Sequence, residues 1–193
     1  SGAFGAIILT CDHPHFRVQH RMVPHFMKLM QLPKKGTSQY NRLMFPNQAA
    51  AGGCQLTVGQ MLTEQSVDSS GTNSDKLSWE DVKWILSLTS LPVVVKGVLS
   101  PEDAVKAVEV GASAIVVSNH GGRQFDGAPP AIEVLPSVVA AVKGKVPIFV
   151  DSGFRTSTDV VKALCLGASG VLLGRPALWA LSCGGADGLF TML

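Results

Sequence analysis

Five short apolar runs punctuate the chain: AIILT at 6–10, PVVV at 92–95, AIVVS at 114–118, PIFV at 147–150 and GVLLG at 170–174. They are rich in β-branched residues and show almost no alternation with polar positions. That pattern predicts strands buried on both faces, as in a parallel sheet covered by helices. Between the last four runs, apolar positions recur at helical spacing. Ser100-Pro101-Glu102-Asp103 opens one helix with a capping hydroxyl, a proline in the first turn and acidic groups that complement the helix dipole. Gly111 is placed to end it. A second helix runs from Thr156 to Gly167, and a third starts at Ser78-Trp79-Glu80-Asp81. The segment near 131–142 is apolar on one face and stops at Gly144.

Strand and helix therefore alternate in short, regular units over the C-terminal hundred or so residues. Such alternation specifies a parallel sheet with right-handed crossovers, either doubly wound or closed as a TIM (β/α)8 barrel. No GxGxxG follows the first run, which argues against a dinucleotide-binding sheet and favours the barrel. Residues 34–76 break the rhythm: they carry Gly, Ser, Thr, Asn and Gln without periodicity, and SVDSSGTNSDK at 66–76 reads as an exposed loop. This stretch is expected to be an irregular insertion after the first strand, with a disordered tether as the alternative.

Composition narrows the class. The 193 residues allow one ordinary domain or part of a larger one, and 46% hydrophobic against 16% charged residues support a substantial core. A formal charge of +2 gives no reason to invoke nucleic acid or a membrane surface. Cys11, Cys54, Cys165 and Cys183 form no CxxC pair, so reduced thiols in an intracellular, soluble protein are expected. No apolar run approaches the ~18 residues of a membrane span, and the first residues lack the basic opening of a secretory signal. His13, His15, His20 and His25 cluster in sequence, yet nothing fixes their geometry; solvated histidines and no metal site are expected.

In a (β/α)8 barrel the residues that end each strand converge at one mouth, where active sites lie. Read in order, those ends are Thr10 and Asp12, then Lys96, then Ser118-Asn119-His120, then Asp151-Ser152-Gly153, then Gly174-Arg175. Singly, Lys96 could be an exposed strand terminus and His120 a hydrogen-bonded structural histidine. The convergence of polar groups directly after oily strands is harder to explain as structure alone.

The run SNHGGRQFD (118–126) resembles the active-site segment of the FMN-dependent α-hydroxy-acid dehydrogenase family, to which the glycolate and 2-hydroxy-acid oxidases belong. LSWEDVKWI (77–85), LPVVVKGVLSPEDAVKAV (91–108) and VLLGRPALWAL (171–181) resemble the same family in the same order. The resemblance spans nearly the whole chain, most weakly over 15–76. It implies oxidation of a small 2-hydroxy acid to a 2-oxo acid, with FMN as cofactor and O2 or another acceptor taking the electrons. His120 would be the general base and Arg123 would hold the substrate carboxylate. Lys96 would lie near the flavin ring's N1, with Ser118 and Thr10 on its polar edge and Asp151 on the ribityl hydroxyls. Ser152, Gly153, Phe154, Arg155, Gly174 and Arg175 would surround the phosphate. A homo-oligomer and a peroxisomal setting are also compatible with the resemblance.

Where the resemblance departs from the family pattern, it does so at named positions. The five strands correspond to the fourth through eighth of the barrel, so the expected fold is an incomplete TIM barrel with open parallel edges. The family's substrate-clamping arginine falls on Gln19, flanked by Arg17 and Arg21, and the single tyrosine is Tyr40. Ser152 and Ser157 stand where the family has glycines. Two other readings stay open: a non-catalytic half-barrel, and a phosphate-binding barrel enzyme without flavin.

Overall fold

A computed structural model describes residues 4–12 and 77–193. Five strands form one parallel sheet in sequential order: β1 (Ile7–Thr10), β2 (Val93–Val98), β3 (Ala114–Val117), β4 (Ile148–Val150) and β5 (Gly170–Val171). Helices α1 (Trp79–Leu88), α2 (Pro101–Val110), α3 (Ala131–Val142), α4 (Ser157–Cys165) and α5 (Arg175–Met192) alternate with them. The expected Gln19, Arg17 and Arg21 clamp region, Tyr40, Cys54, the four early histidines and the 34–76 insertion lie outside the described residues.

The helices begin where local chemistry directs. Ser78 and Thr156 each accept a bond from the backbone N–H three residues on, and the aspartate there bonds back to the cap's backbone, closing a capping box at α1 and at α4. Those bonds hold the Asp81 and Asp159 carboxyls below the ordinary carboxylate range: Asp81 through the Ser78 hydroxyl first, Asp159 through the Arg155 and Thr156 amides first. Ser100 caps α2 ahead of Pro101, and Gly111 ends that helix at φ +102°. α3 ends at Val142, as its pattern suggested, with both Lys143 (φ +55°) and Gly144 (φ +70°) in the left-handed conformation.

Strand alternation sorts the side chains into two rows. Leu9, Val95, Ile115 and Ile148 align in register, as do Val98, Val117 and Val150. Both groups pack with Ala104, Ala107, Leu135, Val138, Val142 and Ala163 from the helices into the main hydrophobic core. The intervening row, Thr10–Lys96–Val116–Phe149–Gly170, faces the opposite side. Gly170 is small for a reason visible there: a Cβ would sit 3.1 Å from the Phe149 ring. β2 is longer than its apolar run because it continues through Lys96 and Gly97, with a register shift before Val98. β5 is shorter than GVLLG suggested; it pairs with β4 alone among the described strands, and Leu172 N–H adds one more bond to the Val150 carbonyl at 2.9 Å.

Candidate active site

The bulge in β2 shapes the site first. Gly97 sits at φ +111°, and a Cβ there would lie 2.6 Å from Asp12 Cβ and 2.9 Å from the Asp12 backbone nitrogen. A glycine is therefore what allows Asp12, two residues past β1, to lie against the end of β2. Asp12 Oδ1 accepts a hydrogen bond from His120 Nδ1 at 2.9 Å. Its other oxygen is buried and, among the described residues, has no hydrogen-bond partner. A buried carboxylate served on one oxygen leaves its charge concentrated beside the imidazole.

His120 owes its placement to an unusual backbone. His120, Gly121 and Gly122 all have positive φ, at 58°, 67° and 70°. For the histidine that costs about 1 kcal/mol, so its surroundings must hold it there. Ser118 Oγ accepts the His120 N–H at 3.0 Å, and Ser152 Oγ accepts the Gly121 N–H at 2.9 Å. The Asn119 side chain closes the turn from the other side, accepting from Gly122 N–H and donating to the Pro129 carbonyl. Arg175 donates to the Gly121 carbonyl at 2.6 Å, so both polar atoms of Gly121 are engaged.

Lys96 joins the same set. Its ammonium lies 3.0 Å from Asp151 Oδ2 and 3.1 Å from Ser118 Oγ. With side chains only 15% and 16% exposed, Lys96 and Asp151 form no ordinary surface ion pair, and their geometry is held. Ser152 Oγ donates to Asp151 Oδ1 at 2.7 Å. A continuous ring results, running Lys96, Ser118, His120, Gly121, Ser152, Asp151 and back, across the ends of β2, β3 and β4.

Beside this ring opens a cleft lined by Lys96, His120, Arg123, Asp151, Ser152, Gly153, Arg155 and Arg175, among others. Its volume of about 240 Å³ is a little below the ~300–1,000 Å³ of a typical ligand pocket. At the far end, Gly174 starts α5 without a side-chain cap. A Cβ on Gly153 or Gly174 would meet nothing within 4 Å, so both backbones are open to an incoming group. Arg155 donates to the Phe154 carbonyl at 3.0 Å and stacks 5.0 Å from the Trp179 ring centre.

The structure thus brings His120, Arg123, Lys96, Asp151, Ser152, Gly153, Phe154, Arg155, Gly174 and Arg175 to one cleft. Thr10 stands in register with Lys96 but is not part of the cleft wall. Ser118 is wholly buried, its oxygen turned to Lys96 and His120. Phe154 is 4% exposed and its ring belongs to the core. Sequence reasoning placed Asp12 at the mouth without a role; its pairing with a histidine 108 positions away has no local signature. The Ser152 hydroxyl and the Arg175–Gly121 contact were likewise unforeseen.

Cys11, next to Asp12, is pushed up to about 11, first by burial and then by the Asp12 charge. A raised thiol stays protonated in the fold, so its contribution to stability holds below 9.0 and is lost as pH rises toward 11. At about pH 8 an alkylating reagent should modify exposed Cys165 and Cys183 while sparing Cys11, as read by peptide mass mapping. Equal labelling of Cys11 would contradict the burial described.

Parallel strands with polar ends gathered at one mouth, next to an arginine-lined helix start, place the molecule among the (β/α)8-barrel enzymes. Comparison with known proteins narrows this: the pattern of the FMN-dependent dehydrogenase family matches residues 1–193, and the chain belongs to that family. It is 40% identical over 191 residues to a 2-hydroxyacid oxidase of Dictyostelium discoideum, covering 98% of this chain and 45% of that protein. A peroxisomal (S)-2-hydroxyacid oxidase of Arabidopsis thaliana is 40% identical over 186 residues, 96% of this chain and 47% of the relative. A crystal structure of mandelate oxidase superposes with a TM-score of 0.72 at 39% identity, covering 97% of this chain and 47% of that one. The chain spans about half the length of these relatives. The fold is accordingly part of a TIM barrel, as the strand ends suggested.

Proposed function

We propose that this chain carries the proton-transfer and flavin-holding half of an FMN-dependent 2-hydroxy-acid oxidase. The observation that carries the reading is the His120–Asp12 pair at 2.9 Å, set beside a partly buried ammonium at the strand ends. The residues present suit the cofactor. Two guanidinium groups, an uncapped helix start and the open backbones of Gly153 and Gly174 match a phosphate dianion. The Lys96 ammonium, held by Asp151 and Ser118, matches a ring system on which negative charge accumulates.

In this reading Nδ1–H of neutral His120 donates to Asp12, so the ring's second nitrogen, Nε2, is the one that takes the proton from the 2-hydroxy acid. FMN, when bound, would supply the acceptor for the two electrons and the second hydrogen lost as the 2-oxo acid forms. The Asp12 carboxylate offsets the imidazolium charge that forms and keeps the ring from turning. Arg123, in the cleft wall next to His120, would hold the substrate carboxylate through its planar fork of donors. Arg155 and Arg175 would hold phosphate, and Ser152, Gly153 and Phe154 would offer backbone to it. Asp151 and Thr10 would meet the polar hydroxyl and ring edges, with Ser118 acting from beneath through Lys96. Molecular oxygen is the proposed final acceptor and a homo-oligomer the proposed assembly. The peroxisomal name of the Arabidopsis relative supports that compartment for this one. Among the described residues no helix is long and apolar enough to cross a membrane.

The test is a visible spectrum of the purified chain with FMN, before and after a 2-hydroxy acid is added without oxygen. Bound flavin that bleaches is the expected result. Flavin that binds and stays yellow would sink the proton-transfer half of the proposal, and no bound flavin would sink both halves.

A further inference from the structure

The family resemblance puts glycine at position 152, and the backbone there agrees: φ is +77°, a conformation in which a serine is strained. A serine kept in a glycine's conformation invites the question of what its side chain does. Here the hydroxyl lies at the junction of two strand ends. It accepts the Gly121 N–H at 2.9 Å and donates to Asp151 Oδ1 at 2.7 Å. Gly121 immediately follows His120, and His120 is itself in a left-handed conformation. The preceding bond, His120 N–H to Ser118 Oγ, fixes one side of the histidine's peptide. Ser152 fixes the other. The same hydroxyl orients Asp151, whose second oxygen holds Lys96.

We propose that Ser152 is a positioning residue whose hydroxyl clamps the His120–Gly121 peptide and thereby keeps the imidazole against Asp12. This inference rests on the assignment of His120 as the base, and extends it to a side chain where the resembled family has none. The clamp ties the loop after β4, which borders the phosphate end of the cleft, to the turn after β3, which carries the base. Glycine in the same place would keep the loop's path and lose the tie. Strain and hydrogen bonding therefore act in opposite directions at this one residue, and substitution separates them.

Ser152→Gly relieves the backbone strain and removes the hydroxyl; Ser152→Ala keeps the strain and removes the hydroxyl. If the clamp operates, the Gly121 amide should exchange with deuterium at least ~10-fold faster in both variants, since the bond that shields it is gone. The maximal rate of 2-hydroxy-acid oxidation should fall about 10-fold in both, with little change in KM, because the base is loosened and the substrate clamp is not. Ser152→Gly should nonetheless melt no lower than the parent. If position 152 is only a strained stand-in for glycine, Ser152→Gly keeps full activity and Gly121 exchange is unchanged; that pair of results overturns the proposal. The two measurements also separate it from the oxidase reading. Faster Gly121 exchange in both variants, with no turnover even in the parent, keeps the clamp and discards the proposed activity. Normal turnover in Ser152→Gly with unchanged exchange keeps the activity and discards the clamp.

Discussion

Replacing His120 with Gln should lower the rate of 2-hydroxy-acid oxidation by about 10²–10⁴-fold, the range supplied by a positioned general base. Binding of FMN should be little affected, because the histidine's neighbours in the ring reach it through its backbone N–H, which the variant keeps. The size of the loss follows from geometry. Nδ1 is bound to Asp12 Oδ1 at 2.9 Å, the carboxylate's other oxygen is buried, and the ring is only 21% exposed. In the proposed role, an imidazole so fixed would accept a proton at one nitrogen while the charge it gains is balanced at the other. Glutamine fills similar space and can accept a bond from its environment, but it cannot take up a proton near neutral pH. The measurement is stopped-flow reduction of the bound flavin without oxygen, which isolates the proton-transfer half-reaction from reoxidation. A variant that reduces flavin within a few-fold of the parent would show that another group is the base.

Gly97→Ala should damage both the fold and the site, and by more than its one methyl suggests. The added carbon would lie 2.6 Å from Asp12 Cβ, 2.8 Å from Cγ and 2.9 Å from the backbone nitrogen, distances that real Cβ atoms do not tolerate. None of these atoms is the far end of a flexible side chain, so the end of β1 must move as a piece. Alanine at φ +111° adds its own strain. Together these should cost about 1–3 kcal/mol of stability, seen as a lower denaturant midpoint. The displaced carboxylate should also lose its bond to His120, and a 1 Å misplacement in such a pair is worth about 100-fold in rate. Asp12→Asn gives the useful contrast: it should lower the rate without the steric loss of stability. A Gly97→Ala chain with the parent's midpoint and rate would mean that β1 does not press on β2 as described.

The legible part of the fold was the part written in local chemistry. Apolar runs marked all five strands, although β1 and β5 are less buried than the runs suggested, and Ser78, Ser100 and Thr156 announced three helix starts that the structure reproduces. Errors fell at the ends. β2 runs on through a lysine and a glycine because a bulge, not a hydrophobic pattern, finishes it. β5 stops after Val171 because strand length depends on neighbours, which a single run of sequence does not reveal. The site divided in the same way. His120, Lys96 and Asp151 were visible as polar residues closing oily strands, since the barrel rule turns sequence position into spatial position. What those residues hold on to was not visible. Asp12 finds His120, Asp151 finds Lys96 and Ser152 finds Gly121 only after four strands have been laid side by side. Ser118 was placed at the cofactor's polar edge, and its neighbours in sequence gave no hint that its oxygen also meets Lys96 and the His120 N–H.

The two rows of β2 carry a consequence for how this sequence can drift. Val95 and Val98 answer to the packing of helices, Lys96 answers to chemistry at the strand end, and Gly97 answers to both. Neighbouring codons are thus under unrelated selection. A saturation scan of 93–98 scored separately for abundance and for turnover should give two interleaved tolerance profiles, with valines failing the first and Lys96 failing the second alone. A lineage released from the need to oxidise anything would lose the lysine early and keep its valines, and the order of those losses would date the change.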